Sequence, residues 1–464
     1  MVRASGLPTQ NSRGRPEART TIFLDPRGLK RPGGGNFAYS FSAANAADKR
    51  HLVRVGCSAM IAGPWAGRGR NVPEVWWVET VIEASRVRVG IDVSPLTRAR
   101  TGVGHYVHYL LKHLLRASDD CAFRAFSSGW GGIDLGGLPE SGFESHRHVP
   151  LPTRALYSLW RATGRPRVDA LLGGVDVFHA TNYFLPPVRT ARRVLSIYDL
   201  AFLKVPDLCS PKIVGPFARN VPRFAREADA ILTCSEAAKR DLVELLEAPP
   251  EKITVAYGAV DDGFAPVPRD QAARELEERH GLRGPFVLFV GTLEPRKNVE
   301  GLLRAFAAVK DELPHQLVLV GASGWGLEKL PGLLAELGLE KRVSRVGYVP
   351  GHQDLARFYG AAEAFVFPSL YEGFGLPVVE AMTCGCPVIV SDRSSLPEVA
   401  GDAAEYVNPD DPGAIAEGMR RVLGDADRRA GMIERGLVQA RRFRWQDCAQ
   451  TTLDVYRRAA GCAS

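Results

Sequence analysis

Short runs of apolar residues alternate with helix-like stretches in two successive series, and this alternation limits the folds that the chain can adopt. In the first series the apolar runs cover 87–93, 122–126, 175–179, 193–198 and 229–233, with helical patterns such as 212–227 and 236–247 between them. The second series follows a charged helical stretch at 270–280 and has runs at 286–290, 317–320, 343–346, 364–367, 387–390 and 405–407. Because strands that alternate with helices form mostly parallel sheets covered on both faces, the sequence predicts an α/β protein with two doubly wound sheets.

The two series divide the chain into two Rossmann-like domains. We expect the first over residues 86–265 and the second over 266–442, followed by a terminal helical segment at 443–464. A chain of 464 residues is too long for one ordinary hydrophobic core, which agrees with a division into two domains. Open α/β sheets bind ligands at the carboxyl ends of their strands, so the functional residues are expected in a cleft between two facing domains.

Residues 1–85 differ from the rest of the chain. They hold 12 Lys/Arg and 6 Asp/Glu, a balance of +6, so the remainder carries only 7 − 6 = +1. The segment is rich in Arg, Gly, Pro, Ala and Ser and has no sustained period of 2 or 3.6, which predicts disorder over most of it. Val75–Val78, with two tryptophans, is the exception and suits docking or membrane contact. A second hypothesis is a true start near Val81 or Val87, with residues 1–85 as a mis-called extension.

Composition excludes several classes of protein. No apolar run reaches about 18 residues, so we expect no transmembrane helix, and the N-terminus lacks the pattern of a signal peptide. Eight scattered cysteines suit reduced thiols better than a zinc site or a disulfide framework. The small charge of the folded part argues against a nucleic-acid surface.

A stretch late in the second series combines a short buried strand, a glycine-bearing loop and a helix. Pro377 suits the first position of that helix, where its missing N–H removes no hydrogen bond. The glycines of the loop allow close approach to a ligand, and the free amides at the helix start suit an anion or a hydroxyl. Glu372 and Glu380 flank this site. Two carboxylates beside an anion site suit a polyol that carries a phosphate, which is the chemistry of a nucleotide sugar.

The same stretch resembles the E-x7-E motif of the retaining glycosyltransferases of family 4, which have the GT-B fold. Glu372 and Glu380 occupy its acidic positions within the string Pro-Ser-x-x-Glu-Gly-Phe-Gly-Leu-Pro-x-x-Glu-Ala-Met. The resemblance covers roughly residues 86–460 and is strongest over 286–410. The variant Glu-Pro-Arg-Lys-Asn at 294–298 is similar to a branch of bacterial mannosyltransferases.

The resemblance implies roles on the donor side. Glu372 would hold the donor sugar, Glu380 would accept hydrogen bonds from the ribose, and Lys297 would hold the phosphates. Arg296 adds a second cation, which the departing diphosphate requires. The alternatives are a solvated basic pair for the two cations and a favourable first-turn charge for Glu380. Further donor-side candidates are Gly291, Thr292, Tyr348, Gly373, Phe374, Gly375, Leu376 and Pro377.

Two positions qualify this interpretation. Thr292 stands where many relatives carry arginine, so Lys297 is the stronger phosphate contact. Gly102 and Gly104 are expected in a loop after the first strand, close to the phosphates or the acceptor. A dinucleotide fingerprint would need another glycine where Val107 stands, which argues against a nicotinamide enzyme.

Three residues are candidates for the acceptor side. His179 ends a strand predicted to face the cleft, where it serves the acceptor or is a packed structural residue. Asp199 is the second residue of a pair that is usually His-Asp in the resembling family. Tyr198 replaces the histidine here, which leaves the acceptor-side group undefined.

We expect no catalytic metal and no cofactor. A metal-dependent glycosyltransferase of the other major fold would hold its ion with Asp-x-Asp at a strand end. Asp425-Ala-Asp427 lies between two helical segments instead and suits a solvated turn.

The leading hypothesis is a cytoplasmic, retaining glycosyltransferase, with peripheral contact to the inner face of a membrane as an option. It would move a sugar from a nucleotide diphosphate donor, with GDP-mannose favoured, to a glycan or lipid-linked acceptor in surface polysaccharide assembly. In this reading the N-terminal domain binds the acceptor, the C-terminal domain binds the donor, and the final helix crosses back onto the N-terminal domain. The alternatives are a sugar-nucleotide epimerase and a non-catalytic sugar-nucleotide-binding protein.

Overall fold

The computed structural model describes residues 9–10, 16–17, 52–59, 76–83 and 86–461, the last range without 97–101, 132–134, 136 and 327. The chain forms two compact units, Met1–Arg86 and Val87–Ser464. In the first unit Leu52–Ala59 pairs antiparallel with Trp76–Glu83, and Thr9–Gln10 pairs with Pro16–Glu17. Regular structure in these stretches was not predicted. The remaining part of the predicted disordered segment lies outside the described residues.

The first sheet of the second unit has seven parallel strands. They are β1 (Val87–Asp92), β2 (Cys121–Ser128), β3 (Phe143–Val149), β4 (Val177–Ala180), β5 (Arg192–Ser196), β6 (Ala230–Thr233) and β7 (Ile253–Val255). Their order across the sheet is β7-β6-β5-β4-β1-β2-β3. We call this sheet and its helices the N-terminal lobe.

The second sheet has six parallel strands. They are β8 (Phe286–Val290), β9 (Gln316–Val320), β10 (Val343–Gly347), β11 (Ala364–Phe367), β12 (Val388–Ser391) and β13 (Ala404–Val407). Their order is β10-β9-β8-β11-β12-β13. Every residue of β8 and β11 is buried, as expected for strands covered on both faces. We call this sheet and its helices the C-terminal lobe.

The helices alternate with these strands. They are α1 (Gly102–Ala117), α2 (Thr153–Thr163), α3 (Val168–Leu171), α4 (Ala201–Lys204), α5 (Pro211–Glu227), α6 (Glu236–Leu246), α7 (Arg269–His280), α8 (Val299–Val309), α9 (Leu330–Glu336), α10 (His352–Ala361), α11 (Leu376–Thr383), α12 (Leu396–Ala400), α13 (Pro412–Leu423), α14 (Ala426–Ala440) and α15 (Trp445–Ala460). Within the described part of the chain, no helix is both long and apolar enough to cross a membrane.

The last helix joins the two lobes. α14 packs on α11 of the C-terminal lobe, whereas α15 packs on α1 and on the N-terminal sheet. Trp445 at the start of α15 lies between two tyrosines of α1, with its ring 5.3 Å from that of Tyr106 and 5.7 Å from that of Tyr109. Such aromatic pairs add to the burial that fixes the helix in place.

Two edge strands were not predicted from the sequence. β3 is largely exposed and reads Phe-Glu-Ser-His-Arg-His-Val, so it lacks an apolar run. β7 has only three residues. Asp425 accepts a hydrogen bond from the amide of Arg428 and caps α14, so it lies between two helices as predicted, whereas Asp427 belongs to the first turn of α14.

Candidate functional site

The loop between β11 and α11 is the centre of the site. α11 begins at Leu376, and Gly375 before it has φ 104°, in the left-handed region that favours glycine. A Cβ at Gly375 would also lie 2.7 Å from a methyl carbon of Leu396. Pro377 is the second residue of the helix, whereas the sequence predicted it at the first position. Its missing N–H costs nothing at either position, because neither amide has a partner within the helix.

Glu372 in this loop pairs with both candidate cations. Its Oε1 lies 2.6 Å from Nζ of Lys297, and its Oε2 lies 3.2 Å from a terminal nitrogen of Arg296. Arg296 also contacts Glu294 at 2.8 Å and donates to the carbonyl of Tyr371 at 2.7 Å. We call Glu294, Arg296, Lys297 and Glu372 the ion cluster.

The sheet topology explains why these groups meet. Arg296 and Lys297 follow β8, and Glu372 follows β11, its neighbour in the sheet. The carboxyl ends of adjacent parallel strands lie at one edge, which is where such folds bind ligands. A solvated basic pair was the alternative, but the side chain of Lys297 is only 11% exposed and that of Glu372 only 7%.

The ion cluster is electrostatically coupled. Burial alone would raise the pKa of Glu372, but Lys297 and Arg296 attract its charge and hold the pKa below the usual value. Burial lowers the pKa of Lys297, and Glu372 opposes this. Burial also disfavours the charged form of Arg296, yet the carboxylates around it, with Glu372 and Asp199 foremost, raise its pKa. The loop thus holds an ionised carboxylate between two cations.

Glu380 lies in a different environment from Glu372. It is half-buried on α11 and accepts a hydrogen bond of 2.9 Å from the hydroxyl of Tyr359. Burial raises the pKa of Glu380 to about 6, and the bond from Tyr359 opposes the rise. The two glutamates of the motif therefore differ, because only Glu372 has cationic partners at hydrogen-bond distance.

Asp199 of the N-terminal lobe lies beside the same loop. A Cβ added to Gly373 would come within 2.6 Å of the carbonyl oxygen of Tyr198 and 3.0 Å of Cβ of Asp199. The close approach of the two lobes therefore requires glycine at position 373. The hydroxyl of Tyr198 donates to the carbonyl of Thr181 at 2.7 Å, so it bonds within its own lobe.

His179 lies inside the N-terminal lobe and not at the cleft surface. It has no exposed area, its Nδ1 lies 2.7 Å from the hydroxyl of Tyr456, and its Nε2 lies 2.8 Å from that of Ser196. Burial lowers the pKa of His179 to about 3, so the ring is neutral. Of the two alternatives for His179, the structure favours the packed structural residue.

Among the other donor-side candidates, Gly291 and Thr292 follow β8 and Tyr348 follows β10. Gly291 is hydrogen-bonded to the carbonyl of Val320, and Gly321 lies so close that its Cβ would be 2.0 Å from the oxygen of Gly291. Thr292 and Tyr348 are exposed. A cavity of about 350 Å³ adjoins these strand ends, lined by Leu293, Leu319, Gly321, Ser323, Arg345, Val346 and Gly347.

Gly102 and Gly104 were predicted in a loop, but they lie in the first turn of α1. A Cβ at Gly102 would meet no atom within 4 Å, so the structure gives no steric need for glycine there. The sequence signal failed because a pair of glycines is typical of a loop, whereas here the helix begins at the first of them.

A larger cavity, of about 750 Å³, lies in the N-terminal lobe and was missed by sequence reasoning. Its wall includes the aromatic side chains of Tyr157, Trp160, Phe184 and Phe217. Asp92 at the end of β1 lies in the same wall and accepts hydrogen bonds from Ser94. Burial raises the pKa of Asp92 to about 6, and the bonds from Ser94 oppose the rise. An acidic residue ending a buried strand was the signal that could have revealed it.

Comparisons with known proteins identify the family. Residues 273–438 match the family described as glycosyl transferases group 1, and residues 100–264 match glycosyltransferase family 4. A relative named O-antigen chain mannosyltransferase B, from Escherichia coli, is 34% identical over 384 residues, covering 80% of this chain and 100% of the relative.

Solved structures share the fold. Sucrose-phosphate synthase from Thermosynechococcus elongatus has a TM-score of 0.66 at 23% identity, covering 82% of this chain and 100% of the other. Anabaena HepE in complex with UDP-glucose has a TM-score of 0.62 at 18% identity, covering 80% of this chain and 99% of the other. The fold is thus GT-B, and the chain belongs to the group 1 glycosyltransferases of family 4.

Proposed function

We propose that this glycosyltransferase moves mannose from GDP-mannose, with retention of anomeric configuration, to a glycan or lipid-linked acceptor in surface polysaccharide assembly. The relative named O-antigen chain mannosyltransferase B supports the sugar and the process. The HepE complex with UDP-glucose supports a nucleotide sugar as the class of donor. We place the reaction in the cytoplasm, at the inner face of the membrane.

The ion cluster is the observation that carries this proposal. Lys297 and Arg296 are two largely buried cations whose charge is balanced by carboxylates of the protein. A diphosphate that entered between them would replace Glu372 as their counter-ion, which frees that carboxylate to accept hydrogen bonds from the sugar. One exchange of partners would thus engage both ends of a sugar diphosphate.

The same cations supply the electrostatic part of catalysis. Breaking the bond between the sugar and the diphosphate leaves negative charge on the departing phosphate, and preorganised cations stabilise that charge as it develops. We therefore propose a reaction that needs no metal ion. Retention follows from the resemblance, in which the acceptor attacks on the face that the diphosphate leaves, and neither Glu372 nor Glu380 acts as a nucleophile.

We assign the donor to the C-terminal lobe and the acceptor to the N-terminal lobe, with boundaries near residues 86–265 and 266–442. Glu380 would take the ribose, and the strand ends around Gly291 and Tyr348 would lie near the base. We assign Asp199 to the acceptor side, an assignment supported by its position next to the Glu372 loop. Closure of the cleft would gate the reaction, because each lobe holds part of the site.

A donor panel tests the proposal. Labelled GDP-mannose and other nucleotide sugars are incubated with the wild type, with Glu372→Ala and with Glu417→Ala. The last variant is the control, because Glu417 is exposed and pairs with two arginines of its own helix. We expect transfer or slow hydrolysis of GDP-mannose, lost by about 10²-fold in Glu372→Ala and kept in the control. NMR of the product gives its anomeric configuration.

The other outcomes identify the alternatives. Isomerised donor without transfer would indicate an epimerase. Donor binding without turnover would indicate a non-catalytic binding protein, a reading that Tyr198 in place of the family histidine keeps open. Turnover that disappears with a chelator and returns with Mg²⁺ or Mn²⁺ would overturn the metal-free mechanism.

A further inference from the structure

Tyr371, directly before Glu372, reaches across the cleft into the N-terminal lobe. Its hydroxyl donates to Oδ2 of Asp241 at 2.7 Å and accepts a hydrogen bond from the amide of Leu200 at 3.3 Å. The side chain of Tyr371 is only 5% exposed. Burial raises the pKa of Tyr371, so its hydroxyl remains a neutral donor to the carboxylate.

Asp241 is well suited to anchor this hydroxyl. It lies on α6, is 8% exposed, and pairs through its other oxygen with Nζ of Lys204 at 2.9 Å. A charged acceptor makes a stronger hydrogen bond than a neutral one. The contact between Tyr371 and Asp241 is thus a buried, charge-assisted bond between the lobes.

Gly373, directly after Glu372, is also held by the N-terminal lobe. Its carbonyl accepts a hydrogen bond of 2.7 Å from the hydroxyl of Ser235, and Sγ of Cys234 lies 3.3 Å from the same oxygen. Ser235 is fully buried and also caps α6 by accepting from the amide of Ala238. The start of α6 therefore binds the backbone on this side of Glu372, and the same helix carries Asp241 nearly two turns further on.

Glu372 itself points the other way, to Lys297 and Arg296 of its own lobe. The residue before it and the residue after it are fixed by the N-terminal lobe, while its carboxylate meets cations of the C-terminal lobe. Arg296 reinforces this by donating to the carbonyl of Tyr371. The orientation of the carboxylate consequently depends on contacts from both sides of the cleft.

We propose that Tyr371 and Asp241 are positioning residues, which hold Glu372 where it meets the donor sugar only while the two lobes are together. This inference rests on the proposed role of Glu372 toward the sugar. It adds that recognition of the sugar, unlike recognition of the nucleotide, requires the N-terminal lobe. A nucleoside diphosphate without its sugar does not need Glu372 and should bind independently of this contact.

The test compares GDP with GDP-mannose in Tyr371→Phe, which removes one oxygen atom. Tyr406→Phe is the matched control, because its hydroxyl bonds to Gly401 within the C-terminal lobe. Calorimetry gives the ratio of the Kd for GDP-mannose to the Kd for GDP. We expect this ratio to rise about tenfold in Tyr371→Phe, with kcat/KM for GDP-mannose falling by a similar factor, and the Kd for GDP to stay within about twofold.

A second variant separates positioning from folding. Asp241→Ala should change the same ratio in the same direction, and adding Tyr371→Phe to it should cause no further loss, because the two side chains act as one unit. Thermal melting shows whether each variant is folded. A merely structural contact would lower the melting temperature and the active fraction while leaving the ratio of the two Kd values at its wild-type level.

The outcomes distinguish this inference from the proposed function. If the wild type binds neither GDP-mannose nor any other nucleotide sugar, the proposed function fails. If another donor is preferred, the same ratio is measured with that donor and its nucleoside diphosphate. A wild-type ratio in Tyr371→Phe, an equal loss for both ligands, or additive effects in the double variant would each overturn the positioning role while the proposed function stands.

Discussion

Removing the charge of Glu372 should convert the ion cluster from a balanced site into an anion-binding site. In Glu372→Gln, Lys297 and Arg296 face an uncharged amide, and the carboxylates of Asp199 and Glu294 remain nearby to compensate Arg296. Breaking a buried ion pair costs about 3–5 kcal/mol. We expect the lower end, about 3 kcal/mol, because Arg296 keeps Glu294 and the carbonyl of Tyr371 as partners. At about 2.1 cal/mol/K of unfolding entropy per residue, counted over the unit Val87–Ser464, this lowers Tm by about 4 °C.

Anions should reverse this loss, and that reversal is specific to the site. Sulfate at about ten times its Kd stabilises a binding-competent protein by about 1.4 kcal/mol. It should stabilise Glu372→Gln more than the wild type, because the wild-type carboxylate already occupies the position between the cations. Calorimetric melting with and without sulfate, at constant ionic strength set with chloride, measures the difference. Glu417→Gln, at an exposed pair, should stay within about 0.5 kcal/mol of the wild type.

The pH dependence gives an independent check of the same reasoning. Because the folded-state pKa of Glu372 is lowered, its contribution to stability is present above the usual value of 4.5 and is lost as the pH falls through the folded-state value. The gap in Tm between wild type and Glu372→Gln should therefore narrow only below about pH 4.5. Neutralising Lys297 as well, in Lys297→Met with Glu372→Gln, should restore part of the lost stability. The account would be refuted if Glu372→Gln had the Tm of the wild type and this Tm did not change with sulfate.

Other changes test the rest of the site. Binding of GDP should strengthen as the pH rises through about 6, where Glu380 ionises and can accept hydrogen bonds from the ribose, and Glu380→Gln should flatten this dependence. Calorimetric titrations between pH 5 and 7 in which the Kd of the wild type and of Glu380→Gln changes equally with pH would contradict this. His179→Leu should lower the free energy of unfolding by about 2–4 kcal/mol by leaving two buried hydroxyls without their partner, and a raised KM for the donor would instead indicate a role at the cleft. Gly373→Ala should reduce turnover by about tenfold or more, because its methyl group would lie 2.6 Å from the carbonyl oxygen of Tyr198. An unchanged kcat, together with unchanged dimensions in X-ray scattering, would count against the tight contact between the lobes.

The fold was largely predictable because its strands are buried on both faces. A run such as Phe286–Val290 has to be apolar throughout when helices cover both sides of the sheet. The edge strand Phe143–Val149 has no such requirement, and its mostly exposed residues carried no signal. The start of α1 at Gly102 was missed for a related reason, since local composition favoured a loop and tertiary packing decided otherwise.

The candidate site was predictable only where neighbouring strands bring its residues together. Lys297 and Glu372 follow adjacent strands of one sheet, so their meeting could be expected from the order of elements. Tyr371 and Asp241 are 130 positions apart and belong to different lobes, and nothing local to either residue indicates the other. His179 shows the opposite error, because a strand end near the cleft predicted an exposed role for a side chain that is completely buried.

The two sets of contacts around Glu372 have a consequence for the order of events at the site. A diphosphate that takes Lys297 and Arg296 as partners leaves Glu372 as a largely buried carboxylate without its counter-ions, a state that is costly unless a new donor group replaces them. The hydroxyls of the sugar are such donors, whereas a nucleoside diphosphate alone has none at this position. The bond from Ser235 to the carbonyl of Gly373 would meanwhile keep the carboxylate from moving into solvent, because it holds the loop against the N-terminal lobe. Discrimination in favour of the intact donor can thus arise from the cost of an unpaired Glu372, and it would be lost if the lobes separated.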